Sequence, residues 1–158
     1  MSTGELVPRE ITLRVRDACL CLHLQRAARA TARHFDEAFR PLGLTSGQFS
    51  LLMSLNRPEP PSIGAVAALL AMDRTTLTAN LKPLVRRGLV AMAADPADRR
   101  RTRLSLTAAG RAALAAAGPV WEREHDAVER RLAAGAADRL RADLRLLSGP
   151  QLPAGCGS

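Results

Sequence analysis

The stretch from Ser62 to Thr107, SIGAVAALLAMDRTTLTANLKPLVRRGLVAMAADPADRRRTRLSLT, limits the fold of this chain more than any other part. Two short helical patterns come first, then two short strand patterns separated by an arginine-rich turn. Asp73 stands where a helix N-cap belongs, and Leu77, Leu81, Leu84 and Val85 follow at i, i+4, i+7 and i+8 from Leu77, the stripe of an amphipathic helix. The opposite side offers Arg74, Thr75, Thr78, Lys82 and Arg86, with Thr76 and Asn80 beside them. Hydroxyls, an amide, an ammonium and guanidinium groups suit hydrogen bonding to phosphates and base edges. Gly88 sits at a C-terminal cap position. The link Ala71-Met72-Asp73 is short enough to join this helix to the preceding one as a helix–turn–helix.

Charge placement agrees with that pattern. Residues 74–111 hold eight arginines and Lys82 against Asp95 and Asp98 alone, so nearly all of the chain's formal +8 lies there. A localised excess of this kind points to a polyanionic partner, double-stranded DNA, rather than to general solubility. Single-stranded RNA is the weaker fit: binders of that type stack bases on aromatic rings, and none of the three Phe or the one Trp falls within 74–111. With 158 residues and 47% hydrophobic content the chain can bury a core. No apolar run approaches a membrane span, and the MSTGELVPRE start lacks a basic-then-apolar signal pattern, so a cytoplasmic protein is expected. Three cysteines are too few, and odd in number, for a disulfide framework.

Taken in order, the chain reads as mainly α with a small β-hairpin wing. A long helical pattern runs from Ile11 to Phe39 and stops before Pro41. Its apolar residues form more than one strip, as expected of a helix with more than one packing partner. Thr45-Ser46-Gly47-Gln48 is a capping box opening a short helix that Pro58, Pro60 and Pro61 end. Ser62 caps the next helix, and Pro83 is expected to kink the C-terminal half of the one after it. Leu89–Met92 and Arg103–Leu106 read as strands around a tip of 93–102. Thr107 then caps a long helix, with a bend expected at Gly118-Pro119, and Ala136–Leu147 forms a last helix carrying Leu140, Leu144 and Leu147. Residues 149–158 read as a disordered tail.

LGLTSGQFSLL at 42–52, MDRTTLTANLKPLVRRGLV at 72–90 and DPADRRRTRLSLTAAGRA at 95–112, in that order of elements, resemble the MarR family of bacterial transcription regulators. The resemblance covers roughly residues 18–147. It implies a winged helix–turn–helix at 45–107, flanked by dimerisation helices at 10–40 and 108–147, in a homodimer on a pseudopalindromic site. It places the family's D-x-x-D-R-R wing sequence at Asp95, Asp98, Arg99 and Arg100, with Arg101 next to it. Arg100 is then the guanidinium that enters the electronegative minor groove, with Asp98 as its brace.

The expected function is that of a repressor released from its operator by a small aromatic, anionic or acyl ligand. His23, Phe35, Phe49 and Trp121 are candidate liners of its pocket. The alternative is a thiol-based peroxide sensor. Within the family, the organic-hydroperoxide sensors keep a reactive cysteine in the first helix, and Cys21 aligns with it. Those sensors steady the thiolate with tyrosine hydroxyls, whereas this chain has no Tyr and holds Gln25 and Phe35 nearby. Cys156 is a candidate resolving thiol. A constitutive architectural DNA-binding protein is a further alternative. An enzyme is not expected, since no base stands beside a nucleophile in sequence. Neither a cofactor nor a metal is expected: Cys19 and His23 share a helix side, but two ligands do not make a zinc site.

Overall fold

The computed structural model describes residues 7–149. Its elements are α1 (Arg9–Ala18), α2 (Leu20–Phe39), a 3-10 turn (Arg40–Leu42), α3 (Ser46–Ser54), α4 (Ile63–Leu69), α5 (Arg74–Arg86), β1 (Val90–Ala94), β2 (Thr102–Leu106), α6 (Ala108–Glu129) and α7 (Ala136–Leu147). The architecture is mainly helical with one antiparallel hairpin, paired from Val90 with Leu106 to Ala94 with Thr102. Both strands are longer at the tip end than their apolar residues indicate, so the turn is confined to 95–101.

Local chemistry explains most of the helix ends. Thr45 and Gln48 form both hydrogen bonds of the capping box, and the hydroxyls of Ser62 and Thr107 accept from Ala65 and Gly110 N–H. Gly88 takes the left-handed conformation (φ 68°), letting Leu89 N–H reach the Leu84 carbonyl and close α5. After α4 the same conformation falls to Ala71 (φ 51°), the one non-glycine residue with positive φ among those described, and Met72 N–H bonds back to the Ala67 carbonyl. α5 runs on through Pro83 and α6 through Pro119, each proline leaving a carbonyl four residues back without its usual donor.

The first long helical pattern is broken at a point that neither a proline nor a glycine marks. Cys19 has ψ 107°, separating α1 from α2. Leu20, Leu22 and Leu24 alternate at the start of α2, and residues two apart on a helix lie about 200° apart, so they fall on two of its sides. α1 has no buried residue to hold it in line with α2.

The core lies under the winged unit. Phe39, Leu51, Leu52, Leu77, Leu81, Leu84 and Leu104 are at most 1% exposed, and Phe39 stacks on Phe49 with centroids 4.7 Å apart. Leu89, Val90 and Leu106 tie the hairpin base to it, and Leu114 and Ala117 tie in the first half of α6. Gly110 lies so close to the hairpin that a Cβ on it would stand 2.0 Å from the Leu89 carbonyl oxygen. The positions expected to form the tail beyond 149, and Cys156 with them, lie outside the described residues.

Candidate nucleic-acid interface

Helix α5 is fixed before it meets any ligand. Asp73 accepts the Thr76 N–H at 2.8 Å with one carboxylate oxygen and the Thr76 hydroxyl at 2.6 Å with the other. These bonds, the hydroxyl's foremost, hold the Asp73 carboxyl below the usual carboxylate range. Because Leu77, Leu81 and Leu84 point into the core, the helical repeat turns Thr75, Ala79, Lys82 and Arg86 directly outward, and all four are exposed.

The polar residues named from sequence therefore divide into three strips. Thr75, Lys82 and Arg86 lie on the outward line. Arg74 and Thr78 turn toward the wing, where both line one cleft with its tip. Asn80 borders the N-terminus of α3, close to Gln48, and its amide approaches the Met72 sulfur at 3.9 Å. Thr76 is exposed but its hydroxyl is engaged by the cap, so it shapes the helix start instead of offering a free donor. The Thr78 hydroxyl donates to the Arg74 carbonyl at 2.7 Å and keeps its lone pairs for an incoming donor. Ala79 lies on the same outward line, four residues after Thr75, and carries no polar group.

The wing is built around the carboxylate of Asp95, the first acid of the D-x-x-D-R-R sequence. Asp95 is 4% exposed. Its Oδ1 accepts Ala97 N–H at 2.9 Å, its Oδ2 accepts Arg103 Nε at 2.8 Å, and its own N–H donates to the Arg101 carbonyl at 2.8 Å. The Ala97 bond first, then the Arg103 bond, hold the Asp95 carboxyl below its ordinary range. Arg103 also donates to the Pro60 carbonyl at 2.8 Å, and Leu104 N–H to that of Pro61 at 2.9 Å, so the hairpin is fastened to the proline-rich link before α4.

Asp98 is arranged differently from the expected brace. Its carboxylate accepts the backbone N–H of Arg100 at 3.1 Å and lies 3.4 Å from the Arg101 guanidinium, not that of Arg100. It shapes the turn and leaves the Arg100 side chain free, which is a correction to the expected side-chain brace.

The nine basic residues of 74–111 are accordingly not equivalent. Arg87 donates to the Gly43 carbonyl at 2.8 Å, Arg111 to the Leu106 carbonyl at 2.9 Å, and Arg103 and Arg101 face Asp95 and Asp98. Arg74, Lys82, Arg86, Arg99 and Arg100 are exposed and have no acidic partner among the described residues. The wing-facing strip of α5 and the cationic turn meet at a cleft of about 540 Å³, lined by Arg74 and Thr78 from α5 and by Arg100 and Arg101 from the wing. Such a surface offers a rod for a wide groove and a guanidinium for a narrow one.

The residues considered for sensing are scattered among different neighbours. Phe49 is 7% exposed and belongs to the core stack, a correction to its candidacy as a pocket liner. Phe35 is half-buried, against Phe39 and edge-on to His34. The His23 ring lies 3.1 Å from the Asp17 carbonyl across the α1–α2 break, and Trp121 stacks on His125 with centroids 4.6 Å apart. Cys21 is exposed, and the Gln25 amide donates to its sulfur at 3.4 Å. Cys19 sits at the break as the N-cap of α2, and its carbonyl accepts the His23 N–H at 3.1 Å. Among the described residues no three His, Cys, Asp or Glu side chains cluster in a way that would hold a metal, and no helix is long and apolar enough to cross a membrane.

Comparison with known proteins agrees with the geometry. No curated protein matches the chain's sequence. A family model described as a winged helix DNA-binding domain matches residues 44–110. Among solved structures, the Mycobacterium tuberculosis transcriptional regulator MosR in complex with DNA is 38% identical, with 82% of this chain and 93% of that one covered and a TM-score of 0.75. The transcriptional repressor CouR bound to a 23-mer DNA duplex is 29% identical, covering 92% and 99%, with a TM-score of 0.76. A MarR variant from E. coli complexed with operator DNA shares the fold at 24% identity, covering 85% and 97%, with a TM-score of 0.76. With its capped reading helix, its carboxylate-braced wing and this degree of likeness along most of its length, the chain belongs to the MarR family of winged helix DNA-binding transcription regulators.

Proposed function

We propose that the protein is a homodimeric repressor of a pseudopalindromic operator, released when a small aromatic, anionic or acyl molecule binds between its helical ends and its winged unit. The observation that carries this reading is the uncovered apolar ridge on the terminal helices. Ile11 and Val15 of α1, and Leu140, Leu144 and Leu147 of α7, are 38–52% exposed although each set keeps helical spacing. A second copy of the chain is the occupant with a matching ridge. Two-fold pairing then sets two α5 helices on successive major grooves, about 10 base pairs apart. In each half-site Thr75, Lys82 and Arg86 face the bases, while Arg99 and Arg100 meet the minor groove and its phosphates. Ligand control is supported by the solved complex of CouR from Rhodococcus jostii with p-coumaroyl-CoA. His23, Phe35 and Trp121, on α2 and α6, are the candidate contacts of such a molecule in this reading.

The test is selection of bound duplexes from a random pool, followed by titration of the recovered sequence with aromatic acids and acyl thioesters. A palindromic consensus released by one of these classes supports the reading. A non-palindromic or absent consensus overturns it.

A second reading has one observation in its favour: Cys21 is exposed, and its sulfur accepts a hydrogen bond from the Gln25 amide. Release of the selected duplex by an organic hydroperoxide, abolished by Cys21→Ser, would establish thiol sensing in place of a small ligand.

A further inference from the structure

Glycine in the first turn of a seven-residue helix has no evident use. Gly64 of α4 is neither at a turn nor at positive φ, and it costs helix stability relative to alanine. Space explains it. A Cβ built on Gly64 would stand 2.9 Å from a terminal nitrogen of the Arg74 guanidinium and 3.5 Å from its central carbon. The Arg74 side chain thus folds back from the start of α5 across the bare backbone of α4, and a methyl group there would push it away. Its position has a consequence for charge. The cleft between α4, α5 and the wing carries Arg74 and Thr78 on one wall and Arg100 and Arg101 on the other, and no acidic residue lines it. Arg74 is exposed and has no acidic partner among the described residues, so its guanidinium is available to an anion entering the cleft.

We propose that this cleft is a seat for one DNA backbone phosphate, lying between the major-groove contact of α5 and the minor-groove contact of the wing, and that Gly64 is a positioning residue that keeps Arg74 in the seat. The inference rests on the DNA-binding reading above and adds to it a specific phosphate contact and the residue that shapes it. Guanidinium groups bind phosphate oxygens through paired, charge-assisted N–H donors, so small displacements of the plane weaken the contact. A phosphate held from both walls would fix how far the wing stands from the reading helix, and with it the spacing between the two groove contacts.

The proposal makes an unusual demand of Gly64→Ala. The change should leave thermal stability equal or slightly raised, because alanine is the better helix former. It should nonetheless weaken binding of the selected duplex about tenfold, the size of one charge-assisted contact. Arg74→Gln should weaken binding similarly and lower the slope of log affinity against log salt by about one. The double variant should bind no worse than Arg74→Gln alone, since Gly64 acts only through Arg74. Replacing backbone phosphates one at a time by neutral methylphosphonate should reveal a position whose neutralisation weakens the wild type but not Arg74→Gln. Additive losses in the double variant, or wild-type affinity in Gly64→Ala, would overturn the seat. If the wild-type protein selects no duplex, the DNA-binding reading itself fails, a result separate from either of these.

Discussion

The winged unit and the terminal helices use similar amphipathic sequences with opposite results. In α5 the leucines at helical spacing are at most 1% exposed, locked under the hairpin and against α3 and α4. In α1 and α7 equally regular apolar positions are 38–52% exposed, and neither helix has a buried residue. Burial on the scale of the α5 leucines is worth about 1.5–3 kcal/mol per side chain. The winged unit gains that within one chain, and the terminal helices do not. A ridge of this size left in water is a standing cost, and in the proposed dimer a second copy of the chain would remove it symmetrically. On that reading the proposed DNA-contacting region is stabilised locally, and the region that would set the distance between two such units is stabilised by association.

The sharpest way to break that contrast is to put charge on the α7 ridge. Leu140→Asp with Leu144→Asp should give a particle of half the mass by light scattering, with the hairpin and α5 still folded. Its affinity for a full palindrome should fall about 100-fold or more, as two linked half-site contacts become independent. Unchanged mass would place the ridge outside the interface.

A second prediction sets two glycines of one helix against each other. Gly110→Ala drives a methyl group toward the Leu89 carbonyl and should cost about 3 kcal/mol, because α6 must shift off the hairpin. Gly118→Ala meets nothing within 4 Å beyond its chain neighbours, but the Pro119 ring disfavours a Cβ on the preceding helical residue and offsets the gain of a better helix former, so stability should stay within about 0.5 kcal/mol of the wild type. Urea melts should show a large loss for the first variant and little change for the second. Equal effects would mean that the hairpin does not depend on close contact with α6.

These positions also mark what could be read from sequence. The caps at Thr45, Ser62, Asp73 and Thr107, the glycine stop at Gly88 and the hairpin all follow from local chemistry, which needs only a few neighbouring residues. The break at Cys19 was not legible, since nothing within α1 buries a side chain to keep it aligned with α2. Nor was the part played by Asp95, whose partner Arg103 is brought to it by the hairpin and is itself tied to the Pro60 carbonyl. The positive stretch was legible as a sum, but four of its nine cations are tied to carbonyls or carboxylates. Phe49, an aromatic that sequence placed in a pocket, was claimed by the core because the Phe35–Phe39–Phe49 stack lies beneath α3.

Within the wing, the contrast is between a free guanidinium and a braced one. Arg100→Ala should weaken DNA binding about tenfold without altering the melt, since its side chain is exposed and unpaired. Arg101→Ala should cost less, because Asp98 already offsets part of its charge. Arg103→Ala should weaken binding and also lower the melting temperature, as it unfastens the hairpin from Pro60 and leaves Asp95 buried without its partner. Titrations and melts of the three variants on one duplex at fixed salt separate these roles, and parallel losses in both assays would contradict them.

The smallest effect expected is that of acid on the same fastening. The Asp95 carboxyl is held below its ordinary range by Ala97 N–H and by Arg103, so the folded state favours its ionised form. A carboxyl depressed on folding lends stability above its unfolded pKa of about 3.9, and that stability disappears as pH falls through the lower folded value. From pH 7 to pH 5 the contribution should be constant, and it should fade only below about pH 4. Asp73 is depressed in the same way by Thr76, so the whole protein will lose stability in acid for more than one reason. Asp95→Asn separates the shares. The amide cannot ionise, so the variant should melt below the wild type at pH 7, and the gap should narrow by pH 3. The narrowing should also appear in the wing, as a convergence of hairpin hydrogen-exchange rates, while the Asp73 share, at the start of α5, persists in both proteins. A gap that stays constant down to pH 3 would mean that Asp95 holds the wing by shape and hydrogen bonding alone, with no contribution from its charge.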